Sequence, residues 1–323
     1  MGKRTKIWLI TGISLVIIGL ITFSAVMTSY RWDFTKLSTV KYISNTYQVT
    51  EAFESISIDT DTADIVFSDS DNSTCKVICY EQENVKHTVT VQDGTLTVSE
   101  VDKRKWYEHI GIAIESPKIT VYLPSNEYNA LSIKSSTGDI ELPENFSFTS
   151  IDILTSTGDV KDYASASGSI KIKTDTGDIS ADNISANALE FSVATGKIVA
   201  NTVTCTGDFK IKVSTGNAQL ADIICNSLVS SGSTGDLTLK NVIATERFDI
   251  DRSTGNIRFD SCDADEIFVD TDTGNVKGNL LSEKVFIAES DTGNINVPKT
   301  ATGGRCEITT DTGDIRIILN SFK

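Results

Sequence analysis

Beyond residue 27 the 323-residue chain shows no stretch with the 3.6-residue periodicity of an amphipathic helix. That absence, together with the lack of a Leu/Asn consensus, excludes a leucine-rich horseshoe, whose repeat needs a helical or 3₁₀ return. The calcium-binding nonapeptide of β-rolls is absent too. Histidine is nearly missing: His87 and His109 are the only two, and neither falls in the regular part of the chain. Positive charge is scarce, with 29 Lys+Arg against 44 Asp+Glu and a net charge of −15. The first 29 residues hold three of the basic residues and no acid, so the remainder carries 26 − 44 = −18. Like charge repels nucleic acid, anionic polymers and anionic lipids, and leaves cationic partners, divalent ions or plain solubility.

What the chain has instead is a repeat. Thr-Gly recurs in register ten times, at Gly138, Gly158, Gly177, Gly196, Gly216, Gly235, Gly255, Gly274, Gly293 and Gly313, with spacings of 19 or 20 residues and mostly Asp or Asn to follow. Apolar residues keep a fixed phase to it. Ile170 and Ile172, Phe209 and Ile211, or Ile267 and Val269 stand seven and five places before a glycine; Ile140, Val160, Ile179, Ile198, Leu237, Ile257, Val276, Ile295 and Ile315 stand two places after one. Alternation by two is strand periodicity. The inward parity flips across the glycine, so a corner is expected there, where Gly tolerates positive φ and Asp or Asn can bond the local backbone. The predicted fold is a parallel β-solenoid with coils of two or three short strands, stacked at about 4.8 Å. Thr before each glycine is expected to form an internal hydroxyl ladder.

Ahead of the repeat, Lys3, Arg4 and Lys6 precede 21 uncharged residues, Ile7 to Met27, enough to cross a bilayer at about 1.5 Å per residue. The apolar run exceeds that of a signal peptide and no small-x-small cleavage site follows it. The expectation is a single-pass anchor in the cell membrane, N-terminus cytoplasmic by the positive-inside rule and everything after Tyr30 extracellular. The chain divides into a tail (1–6), a transmembrane helix (7–27), a juxtamembrane spacer (28–50), irregular β-rich N-terminal coils (51–134) and regular repeats (135–323). The irregular part starts with one full copy of the pattern, Ala63 replacing Gly, and then shows strands at Lys76 to Tyr80, His87 to Val91, Thr95 to Val98 and Ile119 to Leu123. It reads as the cap that a repeat stack needs.

The six cysteines read as buried thiols acting as small hydrophobes. Cys205 and Cys225 fall at equivalent places in adjacent coils, near enough in principle to bridge, whereas Cys75 and Cys79 are too far apart on one strand, about 13 Å.

The Phe53 to Ile58 strand, the degenerate section ending in Val121-Tyr122-Leu123-Pro124 and the Ser-Thr-Gly-Asp-Ile copies, as at Ser136 to Ile140, resemble the bacterial putative-adhesin family of β-strand repeat proteins, a domain of unknown function, over most of residues 50–323. The resemblance implies an exported or membrane-anchored envelope β-solenoid with an interaction role. Its motifs are structural and carry no catalytic residue.

Asp-Thr-Gly at Asp175, Asp272, Asp291 and Asp311 matches the aspartic-protease triplet, but those enzymes need two carboxylates sharing a proton in a cleft, and here the triplet is a corner in register with Ser136, Ser156, Ser214, Ser233 and Ser253. No catalytic, cofactor-binding or metal residue is assigned. Ca²⁺ is the one ion entertained, held by a stack of Asp272, Asp291 and Asp311 with Asn275, Asn294 and Asp314 beside it; the competing reading is that corner amides occupy these side chains. Three surface features bear on partners. Lys103-Arg104-Lys105-Trp106-Tyr107-Glu108-His109 gathers positive charge and aromatics. Val229, Phe268 and Ile287 replace the charged ladder of Lys171, Glu190 and Lys210, unless a one-residue shift turns Val285 and Ile287 inward. The strands of Ile315, Ile317 and Leu319 are expected to leave an uncovered edge at the last coil. The function expected is structural, adhesive or envelope-interacting without catalysis, the alternatives being a carbohydrate-active enzyme on a β-helix or a self-polymerising scaffold.

Overall fold

The structure, a computed structural model, describes residues 2–70, 74–105 and 115–320. Helix α1 (Lys3–Ser29) is 27 residues long, apolar enough to span a membrane, and exposes almost its whole surface; of its residues only Met27 is buried. Among the described residues the other regular elements are a 3₁₀ turn (Phe34–Leu37) and 25 strands joined into one β-solenoid whose coils stack in parallel.

Each regular coil has three short walls around one core. In the coil of Gly177 the inward residues are Ile170, Ile172 and Thr174 before the glycine, Ile179 and Ala181 after it, then Ile184 and Ala186. Inward parity flips twice, so there are two sharp corners. At the first, nine of the ten glycines take φ between 129 and 158°. A Cβ there would overlap the carbonyl oxygen of the neighbouring coil's corner, as Gly158 O lies against Gly177. Ala63 stands at the corner of the first coil, where no Thr-Gly corner precedes it in the stack, and there a Cβ is tolerated. The second corner is a residue with φ between 52 and 58°, filled in turn by Asn183, Thr202, Asp222, Asn241 and Ser261. Asn and Asp suit that left-handed region; because the residue type varies, the sequence pattern does not reveal it.

The Asp or Asn after the glycine has a specific task. Its Oδ1 accepts the backbone N–H of the equivalent residue one coil on: Asp139 N to Asp64, Asp159 N to Asp139, Asp178 N to Asp159 and Lys197 N to Asp178, at 2.8–3.0 Å. After the break at Lys197, which has no such acceptor, the ladder resumes from Asn217 through Asp236, Asn256, Asn275 and Asp314 to Asn294.

Threonine before the glycine does not line the interior. Thr137, Thr157, Thr176 and the others at that place are exposed: alternation from the inward row would turn them in, but it breaks as the chain enters the corner, where Ser136, Ser156 and Asp175 are exposed as well. The inward hydroxyl row lies two residues earlier, at Ser135, Thr155, Thr174, Thr271 and Thr310; Thr174 Oγ1 donates to Gly158 O at 3.2 Å and Thr310 Oγ1 to Gly274 O at 3.1 Å. Arg252 occupies the same row, 1% exposed, in the space left by Gly232, with Nη2 donating to Ser230 Oγ at 2.9 Å. Its Nε and Nη1 have no partner, and burial pulls its pKa down.

Stacking order departs from sequence order at both ends. Strands β1 (Tyr42–Val49), β2 (Ser55–Thr62), β3 (Asp64–Asp69), β4 (Cys75–Gln82), β5 (Val85–Gln92), β6 (Thr95–Asp102), β7 (Lys118–Leu123), β8 (Glu127–Thr137) and β9 (Ile140–Leu142) form the N-terminal end. The first coil, β2 with β3, lies between β6/β7 on one side and β8/β9 on the other. Antiparallel strands then close the end, with β5 on β6, β4 on β7 and β1 on β4. The segment read as a spacer up to residue 50 therefore supplies a strand of the cap. An Asp93-Gly94 turn with both φ positive joins β5 to β6.

Beyond β10 (Ser147–Thr157) through β19 (Ile257–Cys262), the far end comprises β20 (Glu266–Thr273), β21 (Val276–Leu280), β22 (Lys284–Thr292), β23 (Ile295–Asn296), β24 (Gly304–Thr312) and β25 (Ile315–Leu319). Here β24 lies between β20 and β22, and β25 between β21 and β23. The last coil in sequence is thus inserted one place inside, and the outermost coil is Lys284 to Asn296. The expected open edge is covered by β23 at Ile315 and Arg316, while Ile317 to Leu319 pair only with β21; the outermost strands at this end, paired on one side only, are β22 and β23. Their position also explains why Ile295 is 45% exposed although its equivalents are buried.

One core position tests the electrostatics of this interior. Asp162 is fully buried where its neighbours in register are Leu142 and Ala181. Its Oδ1 accepts Ala164 N at 3.0 Å and its Oδ2 has no partner. Desolvation raises its pKa from 3.8 to about 7. The folded chain keeps this proton to higher pH than the unfolded one, so the contribution is full below about pH 4 and is lost as pH rises to about 7, an effect of about 4 kcal/mol at most. Asp162→Asn should flatten that part of the profile of unfolding midpoint against pH, and parallel profiles for variant and parent would contradict the assignment.

Candidate functional site

The sequence-predicted features come out differently from one another. Asp272, Asp311 and Asp291 do stack on consecutive coils, but in that order, because the last coil is inserted. All three are exposed at the corner. The companions Asn275 and Asp314 use Oδ1 on backbone amides, so the ladder is occupied by its own chain; Asn294 ends it. Asp314, which accepts Asn294 N and faces Lys277 at 3.5 Å, has its pKa lowered chiefly by that amide bond.

Phe268 and Ile287 are not neighbours: Glu307 lies between them, and the Arg305 guanidinium stands 5.7 Å from the Phe268 ring. The one-residue shift does not occur, since Phe286 and Ala288 pack against the core while Val285 and Ile287 are 39% and 40% exposed. The Lys171–Glu190 pair of the charged ladder is 3.7 Å apart. In the basic loop Arg104 holds Asp102 with Nη2 to Oδ2 at 2.7 Å; Trp106 to His109 lie outside the described residues. All six cysteines are buried free thiols.

Two sites emerge that the repeat pattern does not show. The first is a buried polar cluster in the cap. Cys79 and Glu81 face inward from β4, His87 from β5, and Thr60 is the hydroxyl-row residue of the first coil. His87 Nδ1 meets Glu81 Oε2 at 2.7 Å, while Nε2 meets Thr60 Oγ1 at 2.9 Å. Glu81 also accepts His87 N and Asn45 Nδ2. Glu100 Oε2 accepts Thr60 Oγ1 at 3.0 Å and Asp61 N at 2.9 Å. The Thr60, His87, Glu81 sequence of contacts resembles a nucleophile, base and acid, and Cys79, Glu81 and His87 lie close enough to grip one cation. Yet Thr60 is 3% exposed and its hydroxyl proton goes to Glu100. Burial raises the Cys79 pKa to about 12. The cluster's polar atoms are spent on one another and join β1, β2, β4, β5 and β6.

The second site is a groove of about 470 Å³ on the wall after the glycine corner, over the coils of Gly255, Gly274 and Gly313. Arg258, Lys277 and Arg316 face outward along it in direct register. Asn256, Asn275 and Asn279 flank them, with Asp260 and the half-exposed Ile318. Gly278, at φ 153°, also lines it, packed so close to the neighbouring coil that a Cβ would overlap Phe259 O.

His87→Ala should strip Glu81 of its buried partner and destabilise the cap by roughly 3–5 kcal/mol. Hydrogen exchange should then show faster opening of β4 and β5 while the coils beyond β10 keep their protection; uniform loss along the solenoid would contradict a local role.

Comparison with known proteins places this fold. Among functionally curated proteins none matches the chain. Solved structures similar to it include a putative adhesin from Bacteroides fragilis (17% identity, 86% of this chain and 97% of that one, TM-score 0.41). Others are a putative lipid binding protein from Parabacteroides distasonis (16%, 85% and 96%, 0.44) and a putative adhesin from Parabacteroides merdae (12%, 86% and 96%, 0.43). The family described as Toastrack DUF4097 matches residues 53–210 and 204–323, nearly everything after the first strand, and the chain belongs to that family.

Proposed function

We propose that the protein is a non-catalytic, membrane-anchored extracellular solenoid that presents its walls to components of the cell envelope. The observation that carries this reading is α1: its apolar side chains are bare, Trp8 at 77% and Ile10 at 64% exposed, so a bilayer is the cover that fits their length and composition. The three N-terminal basic residues orient it with the solenoid outside. The absence of catalysis is supported by how the carboxylates are used. The Asp residues after the glycines follow the repeat and accept backbone amides, and the Thr-His-Glu arrangement is sealed inside the cap.

Fractionation of cells expressing the full chain checks this. The protein should stay with membranes after alkaline extraction, retain Met1 to Ser29 on N-terminal sequencing, and lose its solenoid to protease added to intact cells. Recovery as a soluble chain starting near Tyr30 would identify α1 as a cleaved leader and overturn the anchor.

A second reading, self-association, is favoured by the one-sided pairing of β22 and β23. If it operates, sedimentation should show concentration-dependent assembly that Ile287→Lys abolishes and Ile317→Ala does not; a monomer at all concentrations would remove it.

A further inference from the structure

We propose that the groove over Arg258, Lys277 and Arg316 binds a linear acidic polysaccharide, its acid groups laid one per coil along the basic row. This deepens the envelope-binding reading and rests on it only for where the polymer would be met.

The solenoid outside α1 is strongly acidic, and a row of three cations in register is at odds with that background. At this place in the neighbouring coils stand Thr238 on one side and Asn296 on the other, so the row is confined to three coils. It exists because the last coil is inserted: in sequence order Asn296, not Arg316, would follow Lys277. Lys277 shares its charge with Asp314 at 3.5 Å, but Arg258 and Arg316 make no ion pair among the described residues. Asp260 is the acid lining the groove, and its Oδ1 accepts from Ser261 Oγ and Asn279 Nδ2 at 3.3 and 3.5 Å. The lining thus keeps a surplus of positive charge, and distant acids are screened beyond about 10 Å at 0.1 M salt.

Geometry selects the class of ligand. The cations repeat at about 4.8 Å, so the row spans about 10 Å. A single phosphate or carboxylate is too small to engage all three. An extended acidic peptide repeats its side chains on one face every 6.6 Å or so and falls out of step. A chain of sugar acids advances by close to one coil per ring, and rotation about its glycosidic bonds turns successive acids toward the row. Guanidinium forks pair well with carboxylates. Half-exposed Ile318 in the lining offers a ring apolar surface.

The test is titration of the full chain, in detergent micelles, with oligogalacturonate, galacturonic acid, inorganic phosphate and phosphatidylglycerol vesicles at low and at physiological salt. The oligomer should bind saturably and more weakly as salt rises. R258Q/R316Q should lower its affinity roughly tenfold or more, the scale of two lost charge-assisted bonds, R258K/R316K should restore part of it, and K171Q/K210Q on another wall should leave it unchanged. No saturable binding of the oligomer, equal affinity in R258Q/R316Q and parent, equal affinity for the monomer or phosphate, or binding to vesicles alone would each overturn the proposal. Because binding is read in micelles, its failure is separate from failure of the anchor, which fractionation reports.

Discussion

The close approach of backbone to backbone at the Thr-Gly corner is the constraint on which the solenoid depends. At each regular step a glycine passes so near the carbonyl of the neighbouring corner that no side chain fits, and it takes a φ that other residues avoid. The chain can turn there only if its copies stack at strand spacing. The Asx oxygen beside the glycine then ties each turn to the next through a backbone amide. Register is set at this edge, and the Ile, Val, Leu and Phe rows inherit it.

With register fixed so firmly, the interior tolerates polar groups that a looser core would reject. Arg252 lies in the hydroxyl row with two donor nitrogens unpartnered, and Asp162 carries a carboxyl oxygen in the same condition. Each is held by walls whose backbone bonding does not depend on the side chain. Aromatic contacts, such as the edge-on Phe191 and Phe209 rings 5.3 Å apart, fill neighbouring levels.

The division between what the sequence discloses and what it conceals follows the same physics. The glycine corner is legible because one residue type alone satisfies it. The second corner is hidden because Asn, Thr, Asp and Ser all serve at Asn183, Thr202, Asp222 and Ser261. The Thr before the glycine misdirects the search for the inward hydroxyl row, since it serves the turn and not the core. The order of the terminal coils is invisible, because every coil presents the same offsets and any could stack on any other. With it goes the Arg258, Lys277, Arg316 row, whose third member stands 39 positions from the second. The cap cluster escapes for another reason: Cys79, Glu81 and His87 belong to antiparallel strands that follow no repeat.

Both ends of the solenoid are finished by chain that has doubled back, so the first coil lies inside β6, β7 and the antiparallel strands, and the last lies one level in from the far extremity. A stack closed in this way keeps its two ends intact when its middle changes. Inserting or deleting a 19- or 20-residue unit between Gly158 and Gly255 would disturb neither the antiparallel cap nor the basic wall, and would move them apart or together by about 4.8 Å per unit. The fold is in that sense a ruler with fixed end-pieces, and its reach is set by the number of units between them.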